Sequence, residues 1–307
     1  MKKVLIATDK PFAPVAVKGI REVVEKAGYE LCLLEKYTTP EQLYEAAANV
    51  DAMIVRSDLI TREVLNAAKN LKIVVRAGAG YDNIDLAAAT EKGVVVMNTP
   101  GQNSNAVAEL ALGMMVYGAR GCFSGKSGTE LKGKKIGIHA FGNVGRYVAG
   151  IAKGFGMDVY AYDAFVPKED ITKAGVKAVD SAEELYKTCQ YISLHIPAND
   201  KTKKSIGSAL LSLMPNDGVL VNTARKEVIN EEELLKVMEE KEKFQYLSDV
   251  APDTAEAFQT KFAGRYFATP KKMGAQTEEA NINAGIAAAI QIREFFERGD
   301  IKYKVNK

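Results

Sequence analysis

The 307 residues leave room for about two domains at roughly 150 residues each, and 47% hydrophobic against 26% charged residues is the balance of an ordinary globular chain. Forty-one basic and thirty-nine acidic residues leave a formal charge of +2, which excludes a global field that would recruit nucleic acid or an anionic membrane. Cys32, Cys122 and Cys189 are too few and too scattered for a disulfide scaffold or a thiolate metal cage, and they fit a reducing cytoplasm.

The chain opens on KVLIAT at 3–8, an apolar run that stops at Asp9 and Lys10 and is too short for a signal peptide. Further β-branched runs follow at 30–35, 52–57, 72–77 and 94–98, separated by helical stretches of Ala, Glu, Lys and Leu. Asn103 to Arg120 starts on capping residues and is apolar around most of its circumference, which predicts a buried helix between domains or subunits and a homodimer. It contains Glu109 and is shorter than the ~20 residues that span a bilayer. A second series of runs covers 134–142, 157–163, 189–197, 217–225 and 244–251, and another helix is predicted over Thr277 to Arg298. Alternating strands and helices demand parallel pairing, and continuously apolar strands demand helices on both faces. The expected fold is α/β, with two doubly wound parallel-sheet domains and a cleft between them. Residues 1–97 and 281–307 form a discontinuous substrate domain, and residues 98–280 form a nucleotide domain.

After the strand at 134–139 comes Ala140-Phe141-Gly142-Asn143-Val144-Gly145, then a helical stretch. Glycines in such a turn let backbone approach a pyrophosphate, and the helix N-terminus adds oriented N–H donors and a positive dipole. Alanine replaces the first glycine. The next strand ends at Asp163, eighteen residues after Gly145 and near the spacing of the acid that binds ribose hydroxyls. Ala164 to Pro167 offers no arginine for a 2′-phosphate, which favours NAD over NADP.

RSDLITREVLNAAKNLKIVVRAGAGYDNIDLAAATEKGVVVMNTPG (56–101), AFGNVGR (140–146), SLHIPAND (193–200), VLVNTAR (219–225) and TEEA (277–280) together resemble the D-isomer-specific 2-hydroxyacid dehydrogenase family over nearly the whole chain. The branch that oxidises D-3-phosphoglycerate is the nearest. The resemblance implies an NAD site built from Gly142, Asn143, Val144, Gly145 and Asp163, completed by His195, Pro197, Thr223, Ala224 and Asp249. It also implies that the backbone N–H groups of Ala77, Gly78 and Ala79 bind substrate, and that Arg56 and Ser57 face a substrate phosphate.

Hydride exchange at the C2 of a 2-hydroxy acid needs a cation on the carboxylate and carbonyl, and a group that exchanges a proton with the C2 oxygen. Arg225, in NTAR, has the planar fork for the first task. Family members usually supply the proton from a Pro-His histidine oriented by a glutamate five residues after the aspartate of a D-V motif. Here the sequence reads Thr269-Pro270-Lys271-Lys272-Met273-Gly274, one residue longer, and Thr254 stands where the glutamate would be. Counting back from Gly274 puts Lys272 at the histidine position; counting forward from Pro270 puts Lys271 there. An ammonium is already charged and needs no orienting carboxylate, so the paired losses are chemically coherent. In a desolvated cleft beside Arg225 its pKa is expected to fall from the reference of about 10.4. Asp253 and Glu256 are alternative carboxylate partners. His139 reads as a packed strand residue and neither histidine as the proton donor.

The implied activity is NAD-dependent oxidation of D-3-phosphoglycerate to 3-phosphohydroxypyruvate, a step of serine biosynthesis, in the cytoplasm. The alternatives are a reductase of glycerate, glyoxylate or hydroxypyruvate, and a non-catalytic NAD-sensing binding protein. No metal, nucleic-acid or membrane partner is expected.

Overall fold

Each series of apolar runs forms its own sheet, and every strand pair in both sheets is parallel. A computed structural model describes residues 1–307, in two units: Met1–Asn103 with Gln276–Lys307, and Ser104–Ala275. The divisions fall a few residues from the expected 97/98 and 280/281. Each of the two predicted connecting helices lies whole within one unit: Ser104–Ala119 in the second, Glu278–Arg298 in the first.

The first unit orders its strands β2-β1-β3-β4-β5, with β1 Lys3–Thr8, β2 Glu30–Glu35, β3 Ala52–Val55, β4 Ile73–Arg76 and β5 Val95–Asn98. Side chains alternate across the pleat. Val4, Ile6, Ala52, Ile54, Ile73 and Val75 pack with helices α1 (Pro14–Lys26) and α12 (Glu278–Arg298). Leu5, Ala7, Met53, Val55 and Val74 pack on the other face with α2 (Pro40–Ala47), α3 (Arg62–Ala67) and α4 (Leu86–Glu91). The free edge of β5 is closed by residues 304–306. Val305 N–H donates to Val96 O, Asn306 Oδ1 accepts from Val96 N–H, and Asn306 Nδ2 donates to Val94 O. An unpaired strand edge is a template for association, and this one is covered.

The second unit holds β6 Lys135–His139, β7 Asp158–Tyr162, β8 Lys177–Ala178, β9 Tyr191–Leu194, β10 Val219–Asn222, β11 Gln245–Ser248 and β12 Tyr266–Ala268. Their order is β12-β11-β10-β9-β6-β7-β8. The chain winds outward from β6 in one direction, then returns to β9 and winds in the other. The switch point between β6 and β9 is where an open α/β sheet leaves a crevice at its carboxyl edge. Helices α5 (Ser104–Ala119) and α6 (Asn143–Gly154) cover one face, while α8 (Ala182–Thr188), α9 (Ser208–Leu211), α10 (Glu231–Glu240) and α11 (Ala255–Lys261) cover the other; α7 spans Lys168–Lys173. Ala108, Ala111, Leu112, Met114, Met115 and Ala119 of α5 belong to this unit's own core, so its all-round apolarity, read from sequence as a sign of a dimer, is accounted for without one. No helix is long and apolar enough to cross a membrane.

The two-residue β8 and three-residue β12 were not anticipated, because runs so short carry no period. The strands around the motifs end earlier than their apolar runs: the first of the second unit stops at His139 and leaves 140–142 to the turn.

Asn306 is 8% exposed, and removing its side chain strands a buried N–H and a buried carbonyl. Asn306→Ala should therefore lower unfolding free energy by about 1–3 kcal/mol, read as a drop in the urea midpoint with an unchanged slope; an unmoved midpoint refutes the edge-sealing role.

Candidate active site

The glycine turn follows β6 directly, and Ala140 takes the backbone conformation usually left to glycine. Its φ is 82°, and its N–H donates to Tyr162 O at 2.9 Å, tying the turn to the end of β7. Gly145 is essential to the packing: a Cβ there would collide with Ala140 O and stand 3.0 Å from Ile138 Cγ2. A Cβ on Gly142 would meet nothing within 4 Å, so the mouth of the turn is open. The first amides of α6, those of Asn143, Val144 and Gly145, have no acceptor within the helix.

Asp163 lies at the carboxyl end of β7. Its Oδ2 accepts from Phe141 N–H at 2.7 Å, and its Oδ1 accepts from the N–H groups of Phe165 and Val166 at 2.8 and 3.0 Å. The carboxylate organises the turn, and with about four lone-pair positions it keeps acceptor capacity for a ribose hydroxyl. Across the switch point, His195 N–H donates to His139 O at 2.9 Å, and His195 Nε2 lies 3.0 Å from Ser193 Oγ. Pro197 is exposed, and its carbonyl accepts from Thr202 Oγ1 at 2.5 Å. Thr223, just past β10, is 5% exposed, and its hydroxyl is buried without a protein partner. An open glycine turn, an acid at the next strand end and an orphaned buried hydroxyl fit a dinucleotide.

The end of β10 also presents Arg225. Its local backbone is held by Asn222, which accepts from Ala224 N–H through Oδ1 at 3.0 Å and donates through Nδ2 to Arg225 O at 2.9 Å. Arg225 Nη1 donates to Ala224 O at 3.0 Å, and Lys272 Nζ donates to the same oxygen at 3.5 Å. The guanidinium and one of the two candidate amines thus converge on a single carbonyl. Both side chains are exposed, and both stand on loops beyond the strand ends. Lys271 is exposed as well and forms no ion pair.

The carboxylates expected as substitutes for the absent glutamate are engaged elsewhere or remote. Asp253 pairs with Lys226, whose pKa that bond raises, and Glu256 is exposed on α11. Thr254, at the glutamate's place, is held through its N–H and hydroxyl by Glu231 Oε2 at 2.9 and 2.7 Å. Asp249 is engaged as well. It is wholly buried, and both of its oxygens accept bonds from residues 269–274, so its first task is to hold its own chain.

In the first unit the expected trio of substrate-binding amides reduces to one. Ala77 N–H donates to Val55 O at 2.8 Å and Gly78 N–H to Arg76 O at 2.9 Å, because the backbone continues to bond past β4; the Ala79 amide is the one without an internal acceptor. Ser57 is exposed. Arg56 is half-buried over the Phe12 ring, with Nη1 donating to the carbonyls of Lys10 and Pro11 and Nη2 to Asn281 Oδ1 at 2.7 Å. Arg76 donates through Nε to Arg56 O at 3.0 Å. Burial lowers the pKa of both, and for Arg76 the neighbouring Arg56 charge adds to the effect.

Sequence reasoning left Asn222 and Glu231 without a role. For Asn222 a signal existed, since an Asn before Thr-Ala is an Asx-turn former; Glu231 bonds residues more than twenty positions away, which no local pattern announces. No group of three or more His, Cys, Asp or Glu is placed to hold a metal.

Residues 111–265 match the family described as D-isomer specific 2-hydroxyacid dehydrogenase, NAD binding domain. The chain is 36% identical over 99% of its length to a D-3-phosphoglycerate dehydrogenase of Methanocaldococcus jannaschii, of which it spans 59%. It is 39% identical over 67% of its length to a hydroxypyruvate reductase of Thermotoga maritima, spanning 70% of that protein. Among solved structures, the NAD+-bound 3-phosphoglycerate dehydrogenase of Entamoeba histolytica superposes with a TM-score of 0.85 at 50% identity, covering 100% of this chain and 99% of that one.

Burial pushes the His139 imidazole down to about 4 and that of His195 down to about 3, from 6.5. The unfolded chain therefore binds protons that the native state refuses, and stability, complete above about pH 6.5, falls as pH drops toward those values. The urea midpoint should decline between about pH 6.5 and about pH 4, and His139→Gln should flatten the decline; a midpoint constant over that interval refutes the assignment.

Proposed function

The chain belongs to the D-isomer specific 2-hydroxyacid dehydrogenase family, and from that premise we propose that it oxidises D-3-phosphoglycerate to 3-phosphohydroxypyruvate with NAD, in serine biosynthesis. The observation that carries the reading is the convergence of Arg225 and Lys272 on Ala224 O. An anion-gripping fork and a proton-carrying amine then stand together beside the dinucleotide turn.

Gly142, Asn143, Val144, Gly145 and Asp163 hold the cofactor, with Thr223 and His195 along its course. Bound NAD supplies the acceptor for the hydrogen on C2. Arg225 binds the substrate carboxylate bidentately and polarises the C2 oxygen as it becomes a carbonyl. Lys272, deprotonated, takes the proton from the C2 hydroxyl; in the reverse direction its ammonium returns that proton to the carbonyl oxygen. A neutral amine accepts and a charged one donates, so oxidation gains from alkaline pH and reduction does not. Arg56 and Arg76 are the cations of the first unit for a phosphate. Lys272, and not Lys271, bonds the carbonyl that Arg225 also bonds.

A second reading, reduction of an unphosphorylated acid such as hydroxypyruvate, draws on the internal bonds of Arg56. Its Nη1 and Nη2 already serve Lys10, Pro11 and Asn281, which leaves fewer donors for a phosphate.

Lys272→Met should cut kcat by about 10²-fold, the lower end of what proton transfer contributes, with NADH affinity unchanged in a fluorescence titration. If Lys271→Met carries the loss instead, the assignment moves by one residue. Arg56→Ala distinguishes the two substrates: kcat/KM for 3-phosphohydroxypyruvate should fall by about tenfold or more, the worth of one lost charged hydrogen bond, and that for hydroxypyruvate should hold. Equal losses favour the second reading, and no NADH oxidation with either acid, with NADH bound, favours a non-catalytic sensor.

A further inference from the structure

We propose that Asp249 is the positioning residue of the lysine loop: its buried carboxylate fixes where the Lys272 amine stands beside Arg225, and so governs proton transfer without touching the substrate. The inference rests on the Lys272 reading above.

Asp249 follows β11 with no exposure, and its N–H donates to Asn222 O at 2.9 Å. A buried carboxylate must be fully bonded, and here all the donors come from one short stretch of chain. Oδ1 accepts from Thr269 Oγ1 at 3.0 Å and from Met273 N–H at 2.8 Å, and Oδ2 accepts from Gly274 N–H at 2.8 Å. Thr269 Oγ1 lies 2.7 Å from Asp249 O as well. The donors thus bracket Pro270-Lys271-Lys272 on both sides, and the carboxylate closes the base of a loop whose apex carries the amines. Charge-assisted bonds of this kind are roughly twice as strong as neutral ones.

Gly274 is part of the device. A Cβ there would lie 2.9 Å from Asp249 Oδ2 and 3.2 Å from Val107 Cγ2, so a side chain would lift the amide off the carboxylate. One strand over, Asn222 does for Arg225 what Asp249 does for Lys272, and the Asp249 N–H to Asn222 O bond joins the two supports. The separation of the two cations is therefore set from beneath, by two buried side chains on adjacent strands. This also explains how a loop one residue longer than the family pattern keeps a defined register: the carboxylate selects Met273 and Gly274, and Lys272 follows.

The test is a double-mutant cycle on the full chain, scored by kcat at saturating NADH. Asp249→Asn sets its NH2 against one of the two backbone N–H groups, breaking that bond, and should lower kcat by about tenfold or more, within the range that misplaced proton transfer costs. Adding Lys272→Met to Asp249→Asn should then cost little beyond the larger single loss, because the amine is already displaced. The alkaline limb of the oxidation pH profile should shift in Asp249→Asn. Gly274→Ala perturbs the same bond from the other partner and should reproduce the pattern if Asp249→Asn fails to fold. Losses that multiply, or a rise in NADH dissociation constant with kcat intact, overturn the proposal and return Asp249 to the fold or to the cofactor. Lys272→Met with full kcat in the unaltered chain overturns the catalytic reading itself, an outcome separable because it needs no Asp249 variant.

Discussion

Two like charges brought to one carbonyl oxygen are the constraint around which the second unit is organised. At a separation on the order of 5 Å, an ammonium and a guanidinium repel by about 0.8 kcal/mol in water and about 3 kcal/mol at an effective dielectric of 20. Exposure of Arg225 and Lys272 keeps the repulsion near the lower figure in this form. Excluding water raises it, and an anion placed between the two relieves it. A site of this kind favours a carboxylate over a neutral alcohol without any further selectivity device. It depends on the sheet beneath: Arg225 follows β10 and Lys272 follows β12, and β11 pairs in register with both, so that Asp249 at its end stands between the two cationic loops.

The dinucleotide turn and the cationic loops occupy the same carboxyl edge but are stabilised differently. The turn is held by covalent compactness, with Gly145 allowing α6 to close on Ala140, and by the three amides gathered by Asp163. The loops are held by buried side chains reaching up from the core. Removing one donor or acceptor from such a support leaves the rest desolvated and unpaired, so its loss costs more than the bond itself was worth. The first unit presents its cations in a third way. Arg56 and Arg76 are buried enough for their pKa values to fall; Arg76 donates to the backbone carbonyl of Arg56, and Arg56 in turn to the carbonyls of Lys10 and Pro11.

What could be read from the sequence follows from what leaves a period or a spacing. The long strands and the all-round apolar α5 were legible because burial on both faces forces continuous apolar runs. The turn was legible despite Ala140, since the distance from Gly145 to Asp163 survives a substitution that the φ of 82° shows to be accommodated. The donor capacity of Ala77 and Gly78 was not legible, because it depends on which carbonyl each amide meets after the strand ends. The lysine register was beyond sequence for a different reason. Neither lysine has a periodic anchor, and the bonds that hold their loop come from Asp249, more than twenty residues earlier in the chain. The bonds from Asp249 to Thr269, Met273 and Gly274 are likewise absent from any sequence string, since they join residues twenty or more positions apart.

The chain has only two histidines, and burial holds both neutral well below the pH of most cells. No imidazole therefore changes charge as a cell acidifies or recovers, and the nucleotide edge keeps one electrostatic character throughout.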